Sequence, residues 1–311
     1  MKRMPWLVLM ALTVAASSGG IRGSASSAGA PSAGAPAQAS AEIEAQALTE
    51  TAVAYATWEG RTLTLDFHAP ADPKDAPVVV YLPGRGESSA PRALVEGLIE
   101  NGAIVAVVRY PAGSFAPEVI LAARSADVRA MADGMACALH MVRDRAARLG
   151  SADPYVVVTG FSMGAAPAAH AALFGSDLER RWAEFAAEGG PPRQVACEVA
   201  TGSTHVDALV GLAGAYDMLV PAYEGNYGRD YQQTRNFEQW QFLASAVGHN
   251  PDLEIRLIHG TKDSMIPYEN STEFAEVLSE AGYDVEVIDF EGGHGVESEL
   301  TLSIIMGLIG R

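Results

Sequence analysis

The amino-acid sequence predicts an α/β fold in which helices cover both faces of a mostly parallel β-sheet. Short β-branched runs alternate with longer stretches of helical period, which is the pattern of such a fold. The short runs are also apolar at nearly every position, as strands are when both faces of their sheet are covered. We therefore expect one domain built on a single sheet.

The first predicted element is an antiparallel hairpin over residues 53–67, with Glu59-Gly60 at its turn, and we expect it at one edge of the sheet. Six apolar strands follow, at residues 77–82, 103–108, 155–159, 206–212, 253–258 and 285–290. Helical spacing is found at residues 90–100, 118–148, 165–173, 271–280 and 297–309. Two long insertions, residues 176–205 and 217–251, interrupt the alternation, and such insertions often form lids or binding walls.

Composition limits the classes of protein to which the chain can belong. Its 311 residues are 49% hydrophobic, and 21 basic against 38 acidic residues give a net charge of -17. A chain this apolar is not intrinsically disordered, and one this acidic does not bind nucleic acid through its overall field. The acidity also weakens encounters with anionic substrates and surfaces, so neutral ligands are expected.

The N-terminal segment has the order of a secretory signal peptide. Lys2 and Arg3 precede an apolar run over residues 4–16, and small residues follow. The run is about 13 residues long, whereas a membrane-spanning helix needs ~20. We predict a signal peptide at residues 1–20, a Ser/Ala/Gly/Pro-rich linker at 21–44 and one folded domain at 45–311. The mature protein is expected to be secreted or periplasmic, without a stable membrane anchor.

The chain has two cysteines, Cys137 and Cys197. In the oxidising compartment that a signal peptide implies, they can form one disulfide. The alternative is two separately buried thiols, and the sequence leaves both open because it does not give their separation in space.

The most specific motif is Gly-Phe-Ser-Met-Gly at residues 160–164, directly after a predicted strand and before an Ala-rich helix. A serine in a sharp strand-to-helix turn projects its hydroxyl above the sheet, and the flanking glycines remove Cβ atoms that would clash. We therefore predict Ser162 as a nucleophile. The backbone N–H of Met163, at the helix N-terminus, is expected to face the developing oxyanion. The alternative is a tight turn without chemistry.

A serine nucleophile needs a base and an anion behind that base, and both follow in chain order. Asp263 lies after the strand at 253–258, and His294 lies after the next strand. The carboxyl ends of parallel strands meet at one edge of the sheet, so we expect the two side chains near Ser162. Taken singly, Asp263 could instead cap the turn before Pro267, and His294 could be an exposed loop residue.

Two further residues are weaker candidates. Asp217 is the second choice for the acid, since it follows the strand that ends near Leu212. Among the remaining histidines, His259 is the best candidate for a residue that supports the predicted triad from behind.

These motifs resemble the α/β-hydrolase family over essentially all of residues 50–311. His-Gly-Thr-Lys-Asp-Ser-Met-Ile-Pro at 259–267 resembles the acid loop of small carboxylesterases and dienelactone-hydrolase-like enzymes, and residues 211–217 are similar to a strand and loop of small esterases and formamidases. The resemblance implies an eight-stranded, mostly parallel sheet whose second strand is antiparallel. It also implies a catalytic triad on Ser162, Asp263 and His294.

The family's second oxyanion donor comes from the loop after the strand at 77–82, which reads Pro-Gly-Arg-Gly-Glu at residues 83–87. The family often has His-Gly-Gly-Gly or His-Gly-x there, and Pro83 replaces the histidine. We assign the role to the backbone N–H of Arg85, with Gly86 as the close second. An ordinary Gly-rich turn is the alternative.

Residues 216–242, which cover most of the second insertion, are dense in aromatic residues, and we expect Tyr216, Tyr223, Tyr227 and Trp240 to line a substrate pocket. The alternative is that these rings pack the insertion onto the domain. Phosphate-loop, dinucleotide-binding and metal-ligand motifs are missing from the sequence, so no cofactor and no metal are expected.

The sequence thus predicts a secreted serine hydrolase that cleaves a carboxylic ester, of a small molecule or a polymer, through an acyl-enzyme. An amidase, formamidase or peptidase would use the same triad, and so would an acyltransferase. A noncatalytic binding protein on this fold is the remaining alternative. The sequence does not give the acyl-chain length or the oligomeric state.

Overall fold

A computed structural model describes residues 47–110, 125–180, 195–216 and 246–310. The predicted signal peptide and linker lie outside the described residues. So do Asp217, Tyr223, Tyr227 and Trp240. Among the helices that are described, none combines the length and the apolarity needed to cross a membrane.

The described part of the chain forms one nine-stranded sheet in the order β6-β1-β2-β4-β3-β5-β7-β8-β9. The strands are β1 (Leu48–Trp58), β2 (Arg61–Ala69), β3 (Val78–Leu82), β4 (Ile104–Val108), β5 (Val156–Phe161), β6 (Val195–Cys197), β7 (Ala208–Leu212), β8 (Glu254–Gly260) and β9 (Asp284–Phe290). In sheet order, the six strands β4-β3-β5-β7-β8-β9 all pair in parallel. β2 runs antiparallel to both of its neighbours, β1 and β4.

The predicted α/β-hydrolase fold is confirmed, with one correction to the strand count. All eight expected strands are present, and β6 adds a ninth by pairing antiparallel with the outer side of β1. The hairpin is therefore not the edge of the sheet. The sequence does not reveal β6 because three residues are too few to show a periodic pattern.

Five described helices flank the sheet: α1 (Arg92–Glu100), α2 (Ser125–Arg148), α3 (Ala165–Phe174), α4 (Glu269–Glu280) and α5 (Ser298–Ile309). Side chains alternate between the faces of a strand, so the fully apolar β3 contributes to two cores. Val78 and Val80 pack in the larger core, which includes residues of α2, α3 and α4. Val79 and Tyr81 pack in the second core, with residues of α1 and α5.

A disulfide joins Cys137 of α2 to Cys197 of β6. Cys197 lies opposite Ala56 in the register of β6 on β1, and Cys137 is fully buried beneath this edge of the sheet. The bridge therefore ties the short ninth strand to a core helix.

Candidate active site

Ser162 stands in the sharp turn between β5 and α3. A single 3₁₀ turn, Ser162–Gly164, links the strand to the helix. Ser162 has a φ of 53°, a left-handed conformation that L-residues other than glycine adopt rarely. Such a backbone costs on the order of 1–3 kcal/mol and is found mainly at functional sites, where the surrounding structure enforces it.

The two glycines of the motif are required by close approaches of the backbone. A Cβ atom on Gly160 would lie 2.3 Å from the carbonyl oxygen of Gly164. A Cβ atom on Gly164 would lie 2.4 Å from the carbonyl oxygen of Leu82 and 2.5 Å from that of Pro83. The turn therefore packs directly against the end of β3 and the loop that follows it.

The structure brings Ser162, His294 and Asp263 together in one hydrogen-bonded chain. His294 Nε2 lies 2.9 Å from Ser162 Oγ, and His294 Nδ1 lies 2.7 Å from Asp263 Oδ2. In this arrangement Nδ1–H donates to the carboxylate, which leaves Nε2 free to accept the proton of the serine hydroxyl. The group therefore has the geometry for general-base activation of a nucleophile.

The Asp263 side chain is fully buried and accepts hydrogen bonds on both oxygens. The backbone N–H groups of Met265 and Ile266 donate to Oδ1, at 2.8 and 3.0 Å. His294 and His259 face Oδ2, at 2.7 and 3.2 Å. A buried carboxylate is costly unless its oxygens are paired, and the three hydrogen bonds from Met265, Ile266 and His294 meet that need, with His259 close beside them.

The loops that carry Asp263 and His294 are joined by their backbones. The N–H of Thr261 donates to the carbonyl of Phe290, and the N–H of Lys262 donates to that of Gly292. The lysine side chain also pairs with Glu291. These contacts continue the pairing of β8 with β9 past the strand ends, and they hold the loop of His294 beside the loop of Asp263.

The predicted oxyanion loop lies against the serine turn, as the approach of Gly164 to Leu82 and Pro83 shows. Tyr110 fixes this loop, since its hydroxyl donates to the Pro83 carbonyl at 2.8 Å. The loop folds back at Gly86, where φ is 76°, and the N–H of Glu87 donates to the carbonyl of Gly84. The Gly84 N–H is taken by the Glu87 carboxylate at 3.1 Å. Arg85 and Gly86 are exposed, and their role as donors stays a prediction.

The expected role of Tyr216 as a substrate wall is wrong for this structure. Its side chain is fully buried, and its ring stacks on Phe274 of α4 with 4.3 Å between centroids. The side chain fits because Gly211 and Gly214 have no Cβ atoms. A Cβ atom on Gly211 would lie 1.6 Å from the Tyr216 hydroxyl oxygen, and one on Gly214 would lie 2.3 Å from the ring carbon Cζ. The neighbouring Ala215 N–H donates to the Ser162 carbonyl, so this packing supports the serine turn.

Two apolar side chains near the site were not predicted from the sequence. Phe161 is half-buried, and its ring centroid lies 5.1 Å from that of His294. Met265, two residues after Asp263, is 57% exposed. Phe161 directly precedes Ser162, and Met265 lies two residues after Asp263. Their closeness in the sequence to these two residues could have identified them.

Within the described ranges, no group of three or more His, Cys, Asp or Glu residues is arranged to hold a metal ion. The carboxylates and imidazoles of the site instead satisfy one another.

Comparisons with known structures agree on the fold. The apo form of Thermogutta terrifontis esterase 2 matches with a TM-score of 0.57 and 22% identity, over 83% of this chain and 94% of that one. The butyrate-bound form of the same esterase matches with a TM-score of 0.56 and 23% identity, over 83% and 93% of the two chains. A truncated carbohydrate esterase from gut microbiota matches with a TM-score of 0.57 and 18% identity, over 86% and 99%.

At the level of sequence, no curated protein matches the chain. A family model described as serine hydrolase (FSH1) does match, over residues 118–301. The matched segment includes Ser162, Asp263 and His294 and spans more than half of the chain. The chain belongs to the FSH1 serine hydrolase family.

Proposed function

We propose that this protein hydrolyses neutral carboxylic esters, with Ser162 as the nucleophile, His294 as the general base and acid, and Asp263 as the residue that orients the base. The observation that carries the proposal is the unbroken chain of contacts from Ser162 Oγ through His294 to Asp263 Oδ2. The same three residues are the first choice that the sequence motifs give for the nucleophile, the acid and the base.

In the acylation half-reaction, Ser162 Oγ forms a bond to the ester carbonyl carbon as His294 Nε2 takes the hydroxyl proton. The negative charge moves to the carbonyl oxygen. When the tetrahedral species collapses, the bond from carbon to the leaving oxygen breaks, and His294 returns its proton to that oxygen. The products are an alcohol and an acyl-serine.

In the deacylation half-reaction, a water molecule takes the place of the alcohol. His294 Nε2 accepts a proton from the water as its oxygen bonds to the acyl carbon, and the carbon–Oγ bond then breaks. The proton returns to Ser162 Oγ, and a carboxylic acid leaves. Throughout, Asp263 holds His294 in one tautomer and stabilises its protonated form without accepting the proton.

The oxyanion requires hydrogen-bond donors that are already in place. The Met163 N–H is in the first turn after Ser162, where backbone N–H groups have no acceptor within the helix. We assign it the first contact and Arg85 or Gly86 the second. The packing of Gly164 on the Pro83 carbonyl supports this assignment, because it holds the two donor segments side by side.

Three features support a neutral, short-chain ester as the substrate. The net charge of -17 disfavours anionic ligands. Phe161 and Met265 supply apolar surface beside the base and the acid. Butyrate occupies one of the structures that share this fold, so acetate to butyrate esters are the first series to measure. We also propose that the protein is secreted or exported to the periplasm, because its N-terminal residues have the order of a signal peptide.

The proposal is tested by replacing Ser162 with alanine in the mature chain. We expect the hydrolysis of p-nitrophenyl butyrate to fall by at least ~10³-fold, because nucleophile and base act as a unit. Unchanged circular dichroism would show that the fold persists. Hydrolysis at the parental rate would contradict the proposal. A matched pair of ester and anilide substrates, with identical acyl groups, then separates ester from amide hydrolysis.

A further inference from the structure

His259 is a fully buried histidine that does not touch Ser162 and contacts the acid from behind. Its Nε2 lies 2.9 Å from the carbonyl oxygen of Ile266 and 3.2 Å from Asp263 Oδ2. Its Nδ1 lies 2.7 Å from Ser271 Oγ in α4. Both ring nitrogens are therefore engaged.

The partners of the ring decide its tautomer. A carbonyl oxygen can only accept a hydrogen bond, so the nitrogen that faces Ile266 must carry the proton. The same Nε2 also lies 3.2 Å from Asp263 Oδ2, which is a second acceptor at a longer distance. Nδ1 is then the acceptor, and it receives the hydrogen of the Ser271 hydroxyl. Ser271 is itself buried, so it is held in a position to fix this tautomer.

The charge state of His259 follows from its surroundings. Burial lowers its pKa, and this effect exceeds the opposing influence of the Ile266 carbonyl and Asp263. The titratable groups that face it are Asp263, His294 and Tyr268, whose ring packs edge-on at 6.0 Å between centroids. The ring is thus a neutral donor near neutral pH.

We propose that His259 is a positioning residue for Asp263: with its tautomer set by Ser271, it donates Nε2–H to Oδ2 and thereby fixes the carboxylate toward His294. The inference rests on the proposed function, because it assigns a task within the same triad. Two N–H groups hold Oδ1, and His259 supplies the only contact besides His294 that the described residues make to Oδ2.

Three variants separate this role from simple packing. In His259→Gln the amide nitrogen reaches the place of Nε2, so a donor to Asp263 remains. In His259→Asn the amide reaches only the place of Nδ1, near Ser271. In His259→Phe the ring volume remains without any donor. We expect kcat to fall about tenfold in the Asn and Phe variants with KM nearly unchanged, and to fall less than about threefold in the Gln variant.

A second readout does not require turnover. Loss of a neutral donor leaves more negative charge on Asp263 to stabilise protonated His294, so the pKa of His294 should rise. We expect the NMR titration of the His294 ring to move to higher pH in His259→Phe and His259→Asn, and to stay near the parental value in His259→Gln. The acidic limb of the kcat/KM profile should move in the same direction.

The proposal is overturned if the His294 titration is the same in all variants that fold, or if Gln and Asn are equally impaired. If the Phe variant does not fold, the comparison of kcat and of the titration between the Gln and Asn variants still tests the proposal. Thermal unfolding of each variant controls for lost packing, since a merely structural role changes Tm without moving the titration. If the chain has no esterase activity at all, the titration still tests the contact, so the two failures are distinguishable.

Discussion

Gly260, the last residue of β8, packs directly against Gly293 in the loop that carries His294. A Cβ atom on Gly260 would lie 2.3 Å from the carbonyl oxygen of Gly293 and 2.4 Å from that of Gly292. The acid and base loops are therefore in backbone contact, and a side chain between them has no space.

We expect Gly260→Ala to destabilise the protein by about 2–3 kcal/mol, because the added methyl group must displace backbone rather than a flexible side chain. The activity should fall as well, since the displaced loop carries His294. Urea unfolding and kcat/KM measure the two effects. Gly295→Ala is the matched control in the same loop, where a Cβ meets no atom within 4 Å. Equal stability of the two variants would contradict this account of the loop contact.

The left-handed backbone of Ser162 leads to a prediction about stability. Ser162→Gly and Ser162→Ala both remove the hydroxyl, but only alanine keeps the Cβ that makes a φ of 53° costly. We expect the glycine variant to be more stable than the alanine variant by about 1 kcal/mol, with both inactive. Urea denaturation of the pair measures the difference. A more stable alanine variant would show that the turn is not strained.

The disulfide should contribute strongly to stability. It closes a loop with a sequence separation of 60, and for that length the loop-entropy model gives about 4 kcal/mol. We expect the Cys137→Ala/Cys197→Ala variant to lose roughly this free energy of unfolding. Its kcat/KM should be unchanged, because β6 lies at the opposite edge of the sheet from β8 and β9. An unaltered urea midpoint would contradict the prediction.

Buried His170 predicts a loss of stability in acid. Burial lowers its pKa to about 3, whereas an unfolded histidine titrates near ~6.5. Below pH ~6.5 the unfolded state binds a proton that the folded state does not. The free energy of unfolding is therefore highest above pH ~6.5 and declines as the pH falls toward 3. The slope is about 1.4 kcal/mol per pH unit. In His170→Leu the pH dependence of the unfolding free energy should flatten by that amount, and an unchanged slope would refute the assignment.

The sequence was sufficient to predict the sheet and the proximity of Ser162, Asp263 and His294, because both depend on strong local patterns. Ser162 directly follows β5, and Asp263 and His294 lie in the loops that follow β8 and β9. β5 is buried at all but its last position, whereas the outer strand β9 is partly exposed, contrary to the expectation of a strand covered on both faces. The carboxyl ends of parallel strands share one edge, so order along the chain became proximity in space.

The features that the sequence could not predict depend on packing between distant segments. The pairing of Cys137 with Cys197 follows from the position of β6 on β1, and β6 itself is too short to recognise. The sequence does not show whether an aromatic side chain points into the core or toward a pocket. The Tyr216 side chain points into the core, where it fills the space that Gly211 leaves by lacking a Cβ atom. The contact of His259 with Ser271 joins a strand to a helix through side chains alone.

The most direct test of the central claim is to identify the residue that becomes covalently modified. The purified protein is treated with a fluorophosphonate, digested and analysed by mass spectrometry. We predict one adduct, on Ser162, whose formation is abolished in Ser162→Ala and slowed by at least ~10²-fold in His294→Ala, since the base activates the nucleophile. An adduct on another residue, or labelling at the parental rate without His294, would contradict the account.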